Sequence, residues 1–435
     1  MRRRLVTVLF LGAALACDSL LDVQSPSRVP ASVLDDPANA ELAVNGAQAD
    51  FECAFASYAA LGGMLAGELE DATLSAGRWD YDRRTVTSGD AYGPNQCNDG
   101  SFLGLYTPLS VARFQADNAV HHLQGWTDAQ VTDRHELIAK ASAYSGYSLT
   151  LLGEGFCSAA IDVGPQLLPP QLLDSAEARF ATTIAEAVIA GDSSIVNLAR
   201  VGRARVRLAL GDSVGALADA QLVPTGFRYD ATYSSASARR ENFIFQQINK
   251  SPFNTIGVPY RKFMYVFADT IVPGKVDSVP DPRVAVRFDS ATVMFDNRRG
   301  QWVQLKYATI AAPIALATGT EAQLIIAEIQ GGPTAVTIIN NLHAAAGLPP
   351  FRGSDPDSIR RQVIYERQSE FFLDGHHLGD VNRFQLTLFP AVGTPYPVDA
   401  INPKGGSYGT VTRFPLPDKE RFNNPNIPST VNPGC

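Results

Sequence analysis

Apolar residues recur at three- and four-residue spacings through two long stretches of the chain, and that period is lost between them. In the first stretch, from Leu105 to Trp126, Leu109, Ala112, Ala116, Ala119, Val120 and Leu123 fall close to one face of a predicted helix. Glu136 to Leu152 predicts a second helix, whose Ala, Ser and Gly residues would let neighbours approach closely. Asp174 and Glu177 have the spacing of an N-cap with its returning carboxylate, opening a helix to Ala190. Ser194 to Leu210 follows. Gly211 can end that helix in a left-handed conformation, and Asp212 can cap the next one to about Val223.

This helix–Gly–Asp–helix unit resembles a tetratricopeptide hairpin, with Ala204 and Ala216 at the small positions where paired helices touch. Residues 225–313 then mix aromatic, Asn, Pro and β-branched residues without helical period. They predict loops and short strands, among them Phe243 to Gln247 and Trp302 to Tyr307. Helices return at Glu321 to Ile329, break at Gly331-Gly332, and resume from Pro333 to Gly347. Asp355-Pro356 starts a further helix through Leu373, stopped by Gly375. From Phe389 the chain is rich in Pro, Gly and Asn and is expected to wrap the surface. The expected fold is mainly α: degenerate tetratricopeptide-type hairpins over about 104–223 and 320–374, an irregular loop and short-strand insertion over about 225–313, and a C-terminal wrap over 385–435. Residues 38–435 would form one domain.

The N-terminus changes the picture of where this domain works. Arg2 to Arg4 precede an apolar run, Leu5 to Leu15, too short to span a bilayer, and Ala14-Leu15-Ala16 leads into Cys17. This reads as a lipoprotein signal peptide over residues 1–16, with Cys17 lipidated and 17–37 as a tether. The alternative is an ordinary cleavage site that leaves Cys17 as a thiol. No later stretch approaches the ~20 continuous apolar residues of a membrane helix. The remaining cysteines, Cys53, Cys97, Cys157 and Cys435, fit two disulfides in an exported chain, with three pairings open; buried free thiols are the alternative. The formal charge of −8 argues against a nucleic-acid partner.

Candidate chemistry is sparse. Glu68, Glu70 and Asp71 read as a solvated acidic turn or a cation site, since sequence neighbours rarely straddle a glycosidic bond. His121-His122 and His376-His377 lack the helical i, i+4 spacing of a zinc site and read as surface or packing residues. Nucleophile-elbow, P-loop and dinucleotide-binding motifs are missing from the sequence, so no enzyme, metal or cofactor is expected. A sugar binder needs flat apolar faces beside amides or acids. Trp79-Asp80-Tyr81-Asp82, in a predicted loop after Gly77, offers this chemistry. Trp79, Asp80, Tyr81, Tyr92 (with Asn95 and Asn98) and Trp302 are the ligand-binding candidates, although any single aromatic is more often core than platform.

Glu366-Arg367, Glu370-Phe371, Asp374-Gly375, Asp380 and Arg383-Phe384 together resemble the signature helix of the SusD/RagB family, with His377 for the usual Arg and Val381 for Leu. The closing segment is similar too: Phe414 to Pro417, Glu420, Asn424 to Asn426, and Asn432 to Gly434. Asp281-Pro282-Arg283, Lys306-Tyr307 and the start Cys17 to Val23 echo the family more weakly, while Leu151 to Gly155 replaces its R-L-Y-G-D-V-P motif. The resemblance implies a lipid-anchored outer-membrane protein facing the cell surface. Such a protein captures a glycan or other nutrient for a SusC-like TonB-dependent transporter, without catalysis. Glu366, Arg367, Glu370, Asp380 and Arg383 would be architectural. The rival readings are an envelope adaptor of tetratricopeptide type and a secreted glycan hydrolase.

Overall fold

A computed structural model describes residues 31–97, 102–268, 276–398, 404–428, 430, 431 and 435. The signal peptide, Cys17, most of the tether, Asn98 and the Asn432–Gly434 end of the closing segment lie outside the described residues.

The longer helices are α1 (Ala40–Leu65), α2 (Ala76–Arg83), α3 (Tyr106–Gly125), α4 (Arg134–Gly155), α5 (Pro169–Ala190), α6 (Ser193–Leu210), α7 (Ser213–Ala220), α8 (Gly319–Gln330), α9 (Gly332–Ala346), α10 (Pro356–Glu370), α11 (His377–Phe384) and α12 (Asp418–Asn423). Each helix from α3 to α7 packs on the next, and α7 then meets α8 directly. The stack therefore resumes across the insertion, and α8, α9 and α10 pack on one another. The central helix is α1, which the apolar periodicity did not reveal. From Phe51 to Leu65 every one of its residues is buried. A helix enclosed on all sides has no polar face to set up a period.

Local signals fix several helix ends. Gly191 (φ 74°) and Gly211 (φ 87°) close α5 and α6 in the left-handed region. Asp192 accepts from Ser194 N and Ile195 N, and Asp212 from Gly215 N. Helix α5 starts earlier than expected. Pro169 and Pro170 occupy its first turn, and the Gln171 side chain accepts from Leu168 N at 2.8 Å. Asp174 and Glu177 therefore sit inside the helix, and Glu177 pairs with Arg207 at 2.7 Å. The helix that opens at Asp355 ends at Glu370 rather than Leu373, which adopts φ 60°.

Among the described residues, ten short strands pair two by two, all antiparallel: β1 (Leu69–Asp71) with β5 (Asn254–Ile256), β2 (Ala159–Ala160) with β3 (Gln166–Leu167), β4 (Arg228–Ala231) with β10 (Ile314–Thr318), β6 (Met264–Ala268) with β7 (Val276–Pro280), and β8 (Val286–Val293) with β9 (Arg299–Gln304). β9 covers part of the expected Trp302–Tyr307 strand. Phe243 to Gln247 is not a strand. It forms a single α-turn, capped by Asn242 accepting from Phe245 N, that runs into a π-turn over Gln246–Lys250.

The C-terminal segment also departs from expectation. Part of it threads the core: Phe414 and Leu416 are fully buried, and Phe414 bridges to Phe156 at the end of α4. The rings of Tyr92 and Phe156 stand 5.1 and 5.4 Å from that of Phe414. The Pro- and Gly-rich average of the tail hides this short apolar plug. Disulfides join Cys53 to Cys97 and Cys157 to Cys435.

Candidate functional site

The five signature residues act as internal ties. Glu366, fully buried, accepts from Arg283 Nη1 at 2.5 Å and shares a 2.7 Å hydrogen bond with His343 Nε2 on α9. Arg283 also reaches Glu370 at 3.0 Å. Arg367 donates through Nε to both Asp380 oxygens, at 2.9 and 2.8 Å, joining α10 to α11. Arg383 pairs with Glu328 of α8. Glu366, Arg367 and Asp380 are buried, while the side chains of Glu370 and Arg383 are each 22% exposed.

The acidic cluster is not a solvated turn. Glu68, Glu70 and Asp71 are all buried. Glu68 accepts from Leu373 N at 2.9 Å; burial pushes its carboxyl up to about 8, and that hydrogen bond only partly opposes the rise. Glu70 takes Arg261 at 2.7 Å and Arg298 at 2.6 Å. Asp71 takes Arg78 at 2.9 Å and Lys404 at 3.1 Å, and Lys404 also reaches Asp296 at 3.1 Å. Asp82 accepts from Asp71 N and Tyr396 Oη; burial, with Glu70 close by, holds its carboxyl well above the usual carboxylate range. The network draws on α2, β1, the turn between β8 and β9, and the C-terminal segment. Its acids and bases pair internally, which is how a buried charge cluster is made tolerable. The paired histidines divide: His376 and His377 are buried, whereas His121 is exposed.

That network is the floor beneath the aromatic candidates, and it sorts them. Trp79 to Asp82 lie on α2, not in a loop. Tyr81 is 2% exposed and Tyr92 0%, so neither can stack on a ligand. Tyr81 Oη instead accepts from Tyr92 N, and Tyr92 Oη donates to Pro415 O. The alternation Trp-Asp-Tyr-Asp places Tyr81 inward because α2 is a helix with its own buried side. Trp79 is half-buried, with its indole N–H committed to Thr73 O at 3.0 Å. Asp80 is held by Arg83 at 2.6 Å.

Trp302 is half-buried on β9, directly opposite Phe288 of β8, with ring centroids 5.4 Å apart. Phe288 is 49% exposed, as is Phe295 at 50%, which stacks on Phe253 at 4.6 Å. Arg298, in the turn after Phe295, ties the hairpin to Glu70 and to Asp71 O, so these rings project from a rigid base. Sequence reading missed Phe288 and Phe295. Only the strand register pairs Phe288 with Trp302, and no single-residue signal carries register.

Among the described residues, no group of three or more His, Cys, Asp or Glu could hold a metal ion, and no helix is long and apolar enough to cross a membrane. No family model and no curated protein sequence matches the chain. Solved structures do. The fold is similar to that of a SusD-like carbohydrate-binding protein from Bacteroides vulgatus, with a TM-score of 0.64 and 14% identity over 91% of this chain and 98% of that one. A SusD-like protein from Bacteroides fragilis matches with a TM-score of 0.64 and 11% identity, over 92% of this chain and 98% of its own. A SusD/RagB family protein from Bacteroides thetaiotaomicron matches at 0.60 and 12%, over 89% and 96%. The chain has the mainly helical SusD-like fold.

Proposed function

We propose that this protein is a lipid-anchored capture protein of the SusD/RagB type, which binds a glycan at the cell surface without chemistry and passes it to a SusC-like TonB-dependent transporter. The observation that carries the reading is the fold likeness, along nearly the whole of both chains, to a protein described as SusD-like and carbohydrate-binding. The signature residues on α10 and α11 and the apolar run ending at Cys17 support it further. The exposed Phe288 ring, beside the half-buried Trp302, offers an apolar face of the kind that sugar C–H surfaces stack on.

Screening the purified protein against an oligosaccharide array, followed by calorimetry on the best ligand, tests this reading. Phe288→Ala is expected to weaken binding by about 3- to 10-fold, the worth of one aromatic contact, while leaving the melting temperature nearly unchanged. Trp302→Ala should weaken binding at least as much. An array with no glycan hits, together with recovery of the protein free of any barrel partner after gentle detergent extraction, would remove the capture reading.

A further inference from the structure

A second site lies against the signature network, and Arg367, Asp380 and Arg383 line it. At the junction of α4, α5, α6, α8 and α11, a cavity of about 430 Å³ is lined by Arg205, Arg367, Arg383 and Arg413, with His376 beside them. Its carboxylates are Glu154, Glu321 and Asp380. Glu154 is held by Arg205 at 2.5 Å and Asp380 by Arg367 at 2.8 Å, whereas Glu321 stands 3.1 Å from His376 through Oε2 and its Oε1 has no hydrogen-bond partner among the described residues. Glu328 and Asp374, just behind, pair with Arg383 and His376.

The guanidinium groups are less fully used. Arg367 is 4% exposed, and among the described residues no hydrogen bond engages its Nη1 or Nη2, since both Asp380 oxygens are held by Nε. Arg205 spends Nε and Nη2 on Glu154, and its Nη1 comes no nearer than 3.9 Å to Glu321. Arg413 donates only to the carbonyls of Gly153 and Phe156, and no described carboxylate lies within ion-pair distance of it. Arg205 and Arg367 are buried and Arg413 half-buried, and their unused N–H groups border one cavity, where an acceptor that enters can take them up. The rest of the wall is apolar, including Pro169, Leu173, Leu208 and Ile325. The exposed Ala209 stands at its mouth.

The geometry points to a binding site for a small organic carboxylate in this cavity. The planar guanidinium forks of Arg205, Arg367 and Arg413 would receive the carboxylate, and the apolar wall a body the size of one or two sugar rings. The site is separate from the Phe288–Trp302 face and does not depend on what that face binds.

Calorimetry at low salt with galacturonate, its neutral counterpart galactose, and inorganic phosphate tests the inference. Saturable binding of galacturonate alone is expected. Arg413→Gln should weaken it by about tenfold or more, the worth of one charge-assisted hydrogen bond. Ala209→Trp, which leaves every charge in place, should block entry. Neither change should alter binding at the Phe288 face, so loss of one site does not mimic loss of the other. Absent galacturonate binding, binding unchanged in both variants, or equal binding of galactose or phosphate would each overturn the assignment.

Discussion

The ring of Phe180 on α5 is fully buried between two glycines on neighbouring helices. A Cβ placed on Gly202 of α6 would stand 2.5 Å from Phe180 Cζ, and one on Gly146 of α4 would stand 2.8 Å from Cε1. Three consecutive helices thus close on one aromatic wedge, and the glycines serve helix approach rather than backbone freedom. Gly202→Ala should destabilise the protein by about 1–3 kcal/mol, as overpacking of a filled core does. Urea denaturation would measure this. The double variant Gly202→Ala/Phe180→Leu should recover part of the combined loss, because the smaller side chain vacates the clash. Strict additivity would mean that Gly202 is there for some other reason. This wedge was half visible beforehand. The small residues of the second predicted helix promised close approach, but nothing in the sequence named the ring they approach. The same limit applies to the aromatic candidates. Tyr81, Tyr92, Phe288 and Trp302 differ in exposure because of residues distant in the chain, such as Pro415 and the β8–β9 register, and composition cannot rank them.

At the scale of elements, what could be read was local. The Gly211–Asp212 junction and the Asp355 cap act within four residues, so their sequence suffices to place them. Asp192 is a strong instance, accepting from two backbone N–H groups at 2.8 and 3.0 Å. Asp192→Ala should cost about 1 kcal/mol, the usual worth of such a cap, and lower the melting temperature by a few degrees at most. Asp192→Asn should retain most of it. A null effect of the alanine change would show that α6 is held by packing alone. Apart from the start of α5, set locally by Pro169 and Pro170, the following misread elements had long-range causes. α1 is enclosed on every side. Phe243 to Gln247 has the β-branched and aromatic character of a strand, yet Asn242 caps it into a turn while its side-chain amide donates to Ala312 O, seventy residues on. The acidic run at Glu68 to Asp71 looked solvated because its partners Arg261, Arg298 and Lys404 lie about two hundred residues or more away.

Across the whole molecule, the first and last parts of the chain are sewn together by buried titratable groups, and this gives stability a pH dependence of definite sign. Glu68, just after α1, holds Leu373 N, 305 residues later. Its carboxyl stands at about 8 in the fold against an ordinary 4.5, raised chiefly by burial. His376 at the head of α11 is pressed down by burial and by Arg205, but Asp374 and Glu321 outweigh both and raise it to about 9 from 6.5. A group raised on folding lends stability that is complete below its unfolded value and is lost as pH climbs through its folded value. Glu68 therefore loses its share between about pH 4.5 and 8, and His376 between about pH 6.5 and 9. His377 runs the other way. Burial lowers it to about 4, so its contribution is complete above 6.5 and fades as pH falls toward 4. Above neutrality Glu68 and His376 both remove stability, and Asp82, also raised by burial, acts in the same direction. The melting temperature should fall steadily from about pH 6.5 to 9. Glu68→Gln keeps an acceptor for Leu373 N but cannot ionise. It should flatten the Glu68 part of that decline, which ends near pH 8, and leave the part between about pH 6.5 and 9 that belongs to His376 intact. Scanning calorimetry of the two proteins at matched ionic strength decides the matter: an alkaline decline of the same depth in Glu68→Gln would show that the buried carboxyl is not its source.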